Sequence, residues 1–181
     1  MAVTREQIMN ALLSQLQAKC GTTFATYSRM FVTWQDLTAM LRSPPTASDP
    51  RQLPRQPALF LYDGIGFGGG KDEWEQPARG VPMTGKRTLH RTIVLYDWRP
   101  GSLTPGGAIA AAGAITMNPL VEAVENAFQP DTSGIGTAVG SLTLGGLVQH
   151  AWIQGEGHMI PGDIDPTGLA MQTIPVRILI P

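Results

Sequence analysis

Near the start of the chain, apolar residues recur at helical spacing: Ile8, Leu12 and Leu16, with Met9 and Leu13 beside them, form one stripe. Thr4 followed three residues later by Gln7 matches a capping box, in which the hydroxyl accepts from a free backbone N–H and the glutamine side chain reaches back to the cap. A helix is therefore expected, ended by Gly21. Residues 24–40 read two ways, Phe24-Ala-Thr-Tyr27 as extended chain and the stretch after Trp34 as a helical turn or a strand. Five prolines between Ser43 and Pro57 make that segment a loop. Ala58-Leu-Phe-Leu-Tyr62, bounded by proline and glycine, has the run of a buried strand.

Residues 63–85, rich in glycine and charge, read as an irregular excursion. From Thr88 to Trp98 the pattern alternates, with Leu89, Arg91, Ile93, Leu95 and Asp97 on one face and Thr88, His90, Thr92, Val94, Tyr96 and Trp98 on the other. Residues 58–62 and 88–98 are expected to pair as a hairpin across that long loop. The Gly- and Ala-rich residues 101–116 read as irregular or weakly helical. A second helix is expected to start at Asn118, an N-cap type, with Pro119 in the first helical position where its missing N–H costs nothing. Leu120, Val121, Val124, Ala127 and Phe128 give it an apolar face, and Pro130 ends it. Residues 143–157 read as one strand, 162–168 as a polar turn, and 169–181 as a second strand, together a closing hairpin. The order predicts a single α+β domain over residues 1–181: a mostly antiparallel sheet with two main helices packed on it and a long loop insertion, 63–85, between the first paired strands.

The composition changes this picture little. At 181 residues the chain is long enough to bury a core unaided, and its single cysteine, Cys20, forms no internal bridge. No apolar run approaches the roughly 20 residues that span a bilayer, so no membrane role is expected. The net charge of -1 is unevenly distributed. Residues 1–100 carry 12 Lys/Arg against 8 Asp/Glu, whereas residues 101–181 carry Arg177 alone against six acidic groups. Pairing within one fold accounts for this, as does a head-to-tail contact between copies. Nothing forms the basic stripe of a nucleic-acid-binding surface.

Several motifs imitate chemistry without its context. Gly64-Ile-Gly-Phe-Gly-Gly69 has the dinucleotide-binding spacing, yet the following residues carry two prolines and no apolar stripe, so no helix N-terminus is offered to a pyrophosphate. Asp131-Thr-Ser-Gly134 has one residue too many for an aspartic protease and lacks a second carboxylate. Asp163 and Asp165 open like a calcium loop whose twelfth position is Ile174 instead of glutamate. His90, His150 and His158 have no helical ligand spacing, and Glu156 with His158 supplies only two ligands. Cys20 lies past a helix C-terminus with only Lys19 to favour a thiolate, and reads as a core residue or bystander. No catalytic residue, cofactor or metal site is expected.

The order of elements, with particular strings, resembles the tail terminator (tail completion) family of long-tailed bacteriophages. The strings are the opening helix through Leu16, Tyr27-Ser-Arg-Met30 with Trp34-Gln-Asp36, the strand after Pro57, Arg91-Thr-Ile-Val-Leu-Tyr96, the helix from Asn118 to Asn126, Thr143-Leu-Gly-Gly-Leu-Val148, and Ile174-Pro-Val-Arg-Ile178. What the resemblance implies is a structural virion protein. It would form a homohexameric ring that caps the tail tube, stops its polymerisation and offers an attachment surface to the head-completion or neck protein. Genomic DNA would pass through the lumen without sequence-specific binding. The location implied is the virion tail or neck, assembled in the host cytoplasm. A head-closure or connector protein shares the ring requirement, and a tail-tube or baseplate subunit is the more distant alternative. Segments 43–57 and 101–116 are longer than the family pattern needs. Within residues 63–85, Lys71, Asp72, Glu73, Trp74, Glu75 and Arg79 combine mixed charge with an aromatic, as a partner-binding arm does. A disordered excursion has the same composition.

Overall fold

A computed structural model describes residues 3–29, 55–62, 72–74, 87–98, 109–129, 143–154, 159–160 and 169–180. Helix α1 spans Arg5–Cys20, and its start follows the predicted capping box. The Thr4 hydroxyl accepts from Gln7 N at 3.2 Å, and the Gln7 side chain accepts from Thr4 N at 2.9 Å. Gly21, at φ +54°, ends the helix in a conformation that a side chain disfavours. One 3₁₀ turn, Gly21–Thr23, leads to strand β1, Thr26–Ser28. Strands β2 (Ala58–Tyr62), β3 (Glu73–Trp74) and β4 (Arg87–Trp98) follow. After them come helix α2 (Ile109–Ala127) and strands β5 (His150–Ile153), β6 (Met159–Ile160) and β7 (Leu169–Ile180).

The five main strands form one mixed sheet in the order β1-β2-β4-β7-β5. Only β1 and β2 run parallel; every other pair is antiparallel. β4 and β7 pair along their full lengths, from Arg87↔Ile180 to Trp98↔Leu169, and form the centre. The expected hairpin of residues 58–62 with 88–98 is present as β2 and β4, in register Ala58↔Tyr96 to Tyr62↔Thr92.

The alternation along β4 sorts its two faces. Leu89, Ile93 and Leu95 belong to one buried cluster with Ile8, Met9, Leu12 and Leu16 of α1, Met117, Leu120, Val124 and Ala127 of α2, and Ile174, Val176 and Ile178 of β7. Each of these side chains larger than alanine contributes about 1.5–3 kcal/mol when fully buried. The other face is buried over its middle as well: Phe60 and Tyr96 meet edge-to-face with centroids 5.6 Å apart, beside Val94 and Thr173. Pro175 sits inside β7, yet it breaks no rung of the β4 ladder. Its carbonyl accepts from Gln154 N at 3.0 Å, so its backbone points toward β5, and the missing donor falls where β5 has ended.

Three sequence expectations are corrected. Helix α2 starts at Ile109, not at Asn118, and Pro119 lies inside it. The alanines at 110, 111, 112 and 114 are strong helix formers that extend the helix into the stretch expected to be irregular or weakly helical, and they outweigh one lost backbone bond. Within the strand expected over residues 143–157, Leu144–Gly146 is a 3₁₀ turn and β5 covers His150–Ile153, while residues 155–157 lie outside the described residues. Leu144, Gly145 and Gly146 all have positive φ, which no strand accommodates. Within the expected excursion 63–85, Glu73 and Trp74 pair with Thr88 and Arg87 as β3. The glycine motif at 64–69, Asp131, Glu156, His158, Asp163 and Asp165 lie outside the described residues.

Candidate interface at the base of strand β4

The segment singled out for partner binding meets the sheet where β2 gives way to β3. β2 covers β4 as far as Thr92, and β3 resumes at Thr88. Between them the edge amide of His90 faces a gap, because even-numbered residues of β4 direct their backbone toward this edge. Asp72 fills it. Its Oδ1 accepts from His90 N at 3.2 Å, as a neighbouring strand's carbonyl would do.

The same carboxylate gathers three arginines. Arg91 Nη1 donates to Oδ1 at 2.7 Å, while Arg5 Nη2 and Arg87 Nη2 approach Oδ2 at 2.9 and 3.3 Å. Arg91 stands among Leu89, Ile93 and Leu95 on the buried face and is only 5% exposed. A guanidinium there requires a counter-charge and hydrogen-bond acceptors. It finds both in Asp72, and its Nη1 also donates to the carbonyl of His90 at 2.5 Å. Arg5 comes from the first turn of α1, so one side chain ties helix, central strand and β3 together. Asp72 is itself 18% exposed. Burial pushes its carboxyl up, but the hydrogen bond and charge of Arg91, the His90 amide and the charge of Arg5 outweigh that and hold it below the ordinary carboxylate value.

The other candidates are distributed differently. Glu73 is 61% exposed, with Oε1 3.7 Å from Nε2 of the buried His90. Trp74 contributes its backbone to β3. Lys71, Glu75 and Arg79 lie outside the described residues. Asp72, expected at an interface, is thus engaged within its own chain. Arg5, Arg87 and Arg91 are not singled out by the sequence reading, which weighs His90 only as a metal ligand, although Arg91 alternating with Leu89 and Ile93 on an apolar face calls for a buried anion.

The remaining chemistry-bearing groups stand apart from this cluster. Cys20 is buried, donates weakly to the Ala123 carbonyl at 3.5 Å, and burial pushes its thiol up to about 11. His150 stacks on Trp152 in β5 with ring centroids 4.9 Å apart. Among the described residues, no three His, Cys, Asp or Glu side chains are grouped to hold a metal ion, and no helix is long and apolar enough to cross a membrane. No protein-family model matches the chain, and no curated protein does.

Proposed function

We propose that the chain is the repeating subunit of a ring, a hexamer, that caps the tail tube of a long-tailed bacteriophage. The ring stops tube polymerisation and receives the head-completion or neck protein, with no catalytic step and no cofactor. The observation that carries this reading is the order of elements. An opening helix, paired strands, a second helix and closing strands follow one another in the order that the resemblance to tail terminators implies. The uneven charge also supports it, because a ring needs a contact between two different surfaces of each copy. The excess of basic residues over positions 1–100 and of acidic residues over 101–181 would suit such a pair.

In this reading Glu73, Lys71, Trp74, Glu75 and Arg79 face a neighbouring subunit or the tube, while Asp72 anchors the segment that carries them. Native mass spectrometry and negative-stain imaging of the protein, alone and on tail tubes, test the proposal. Closed rings at the tube end and tubes of fixed length are expected. A monomer within the assembled neck, or tubes whose growth the protein leaves unchanged, overturns it.

A further inference from the structure

Among the described residues, strand β5 is an open edge of the sheet. Gln154 N bonds to Pro175 on β7, so Gln154, Trp152 and His150 direct their backbone inward, and Ala151 and Ile153 direct theirs away from the sheet. Among the described residues no group takes up the outward N–H and C=O of Ala151 and Ile153. Exposed edges are usually blunted by lysine, proline, a charge or a covering element. β5 is His-Ala-Trp-Ile and has none of these in its own sequence.

We infer that β5 pairs antiparallel with β5 of a second copy about a two-fold axis at Trp152. The edge is complementary to itself. Ala151 of one copy and Ile153 of the other exchange both backbone bonds, and the symmetric pair does the same, giving four bonds. Trp152 then lies opposite its own counterpart as a non-hydrogen-bonded pair, where side chains approach most closely. Aromatic pairs at such positions are favourable, and β5 carries no Asp, Glu, Lys or Arg to repel its copy. Arg177, cross-strand from Trp152 on β7, is kept from its counterpart by three strand spacings, roughly 14 Å. This two-fold contact is distinct from the head-to-tail contact of a ring, and it stands or falls separately from the proposed function.

Cysteine cross-linking reads the register. In the pair, residue 152 faces 152 and residue 150 faces 154, at Cα separations within disulfide range. Oxidised Trp152→Cys should give a covalent dimer, and a mixture of His150→Cys and Gln154→Cys chains should give the mixed dimer. His150→Cys alone and the parent, whose Cys20 is buried, should give none. The 150/154 mixture keeps the test valid where loss of the tryptophan impairs folding, because Gln154 is exposed. Sedimentation should show the parent's mass rising with concentration and Trp152→Glu weakening association at least about tenfold, through loss of the aromatic pair and like charges face to face. Absence of both cross-links, or equal linking at 150 alone and 152 alone, overturns the inference. Rings that form without a 152–152 link overturn it while leaving the proposed function standing.

Discussion

Replacing Asp72 by Asn keeps the shape and an acceptor for the His90 amide but removes the charge that three arginines share. Hydrogen bonds to charged groups contribute about 1.5–3 kcal/mol each, and removing one partner of a buried pair costs about 3–5 kcal/mol. Arg91 is buried, Arg87 is partly so, and Arg5 is 56% exposed, so its pairing adds little. A loss of about 2–4 kcal/mol is expected, and at roughly 2–4 °C per kcal/mol for a chain of this size the melting temperature should fall by about 5–15 °C. The pH dependence is a second reading of the same charge. Because the folded-state carboxyl titrates below its ordinary value of 3.8, its contribution is complete above that value by a unit or so and is lost as the pH falls through the depressed folded-state value. Melting followed by calorimetry in steps from about pH 6 to pH 2.5 should show the parent losing stability in the acid range more steeply than Asp72→Asn. A variant that melts with the parent at neutral pH, or acid profiles that run parallel, would refute the account of Asp72 as the anchor of β3.

Thr4→Ala removes the hydroxyl half of the capping box and should cost about 1 kcal/mol, read as a lower urea midpoint at unchanged slope. Pro119→Ala restores an N–H in the interior of α2 and should raise stability by about 1–3 kcal/mol; no gain would mean that the proline begins the helix instead. Cys20, with its thiol pushed up to about 11, should resist alkylation at pH 8 in the folded protein and react quickly once urea unfolds it. Labelling at the same rate in both states would remove Cys20 from the core.

The parts of the fold legible in the sequence are those fixed by local pattern. The α1 cap was readable because Thr4 and Gln7 are three residues apart and answer each other's backbone groups. β4 was readable because Leu89, Ile93 and Leu95 recur at strand spacing on one face and the run from Ile93 to Tyr96 is apolar and β-branched or aromatic enough for a buried strand. What escaped notice depends on distant partners. Asp72 gave no local sign of its role, since Arg5 lies 67 positions before it and Arg87 and Arg91 follow it by 15 and 19. Two differences turn on a single residue type: Pro119 reads as a helix start although the alanines before it favour helix, and Gly145 and Gly146 read as part of a strand although their positive φ makes a turn.

The central position of β7 also sets the order in which the protein can fold. β7 lies between β4 and β5, yet it is made after every other described element. Until it leaves the ribosome, β4 has β2 and β3 along one side and no described strand along the other, and β5 has no described strand to join. At roughly 5–20 residues per second, the 70 residues between the two strands keep the β7-facing edge of β4 unpaired for several seconds. The nascent chain must therefore hold a half-built sheet, and the cell's chaperones have that interval in which to guard it. A ribosome-arrested chain ending before residue 169 should accordingly be open to protease across β4, and a chain released after residue 180 should be closed.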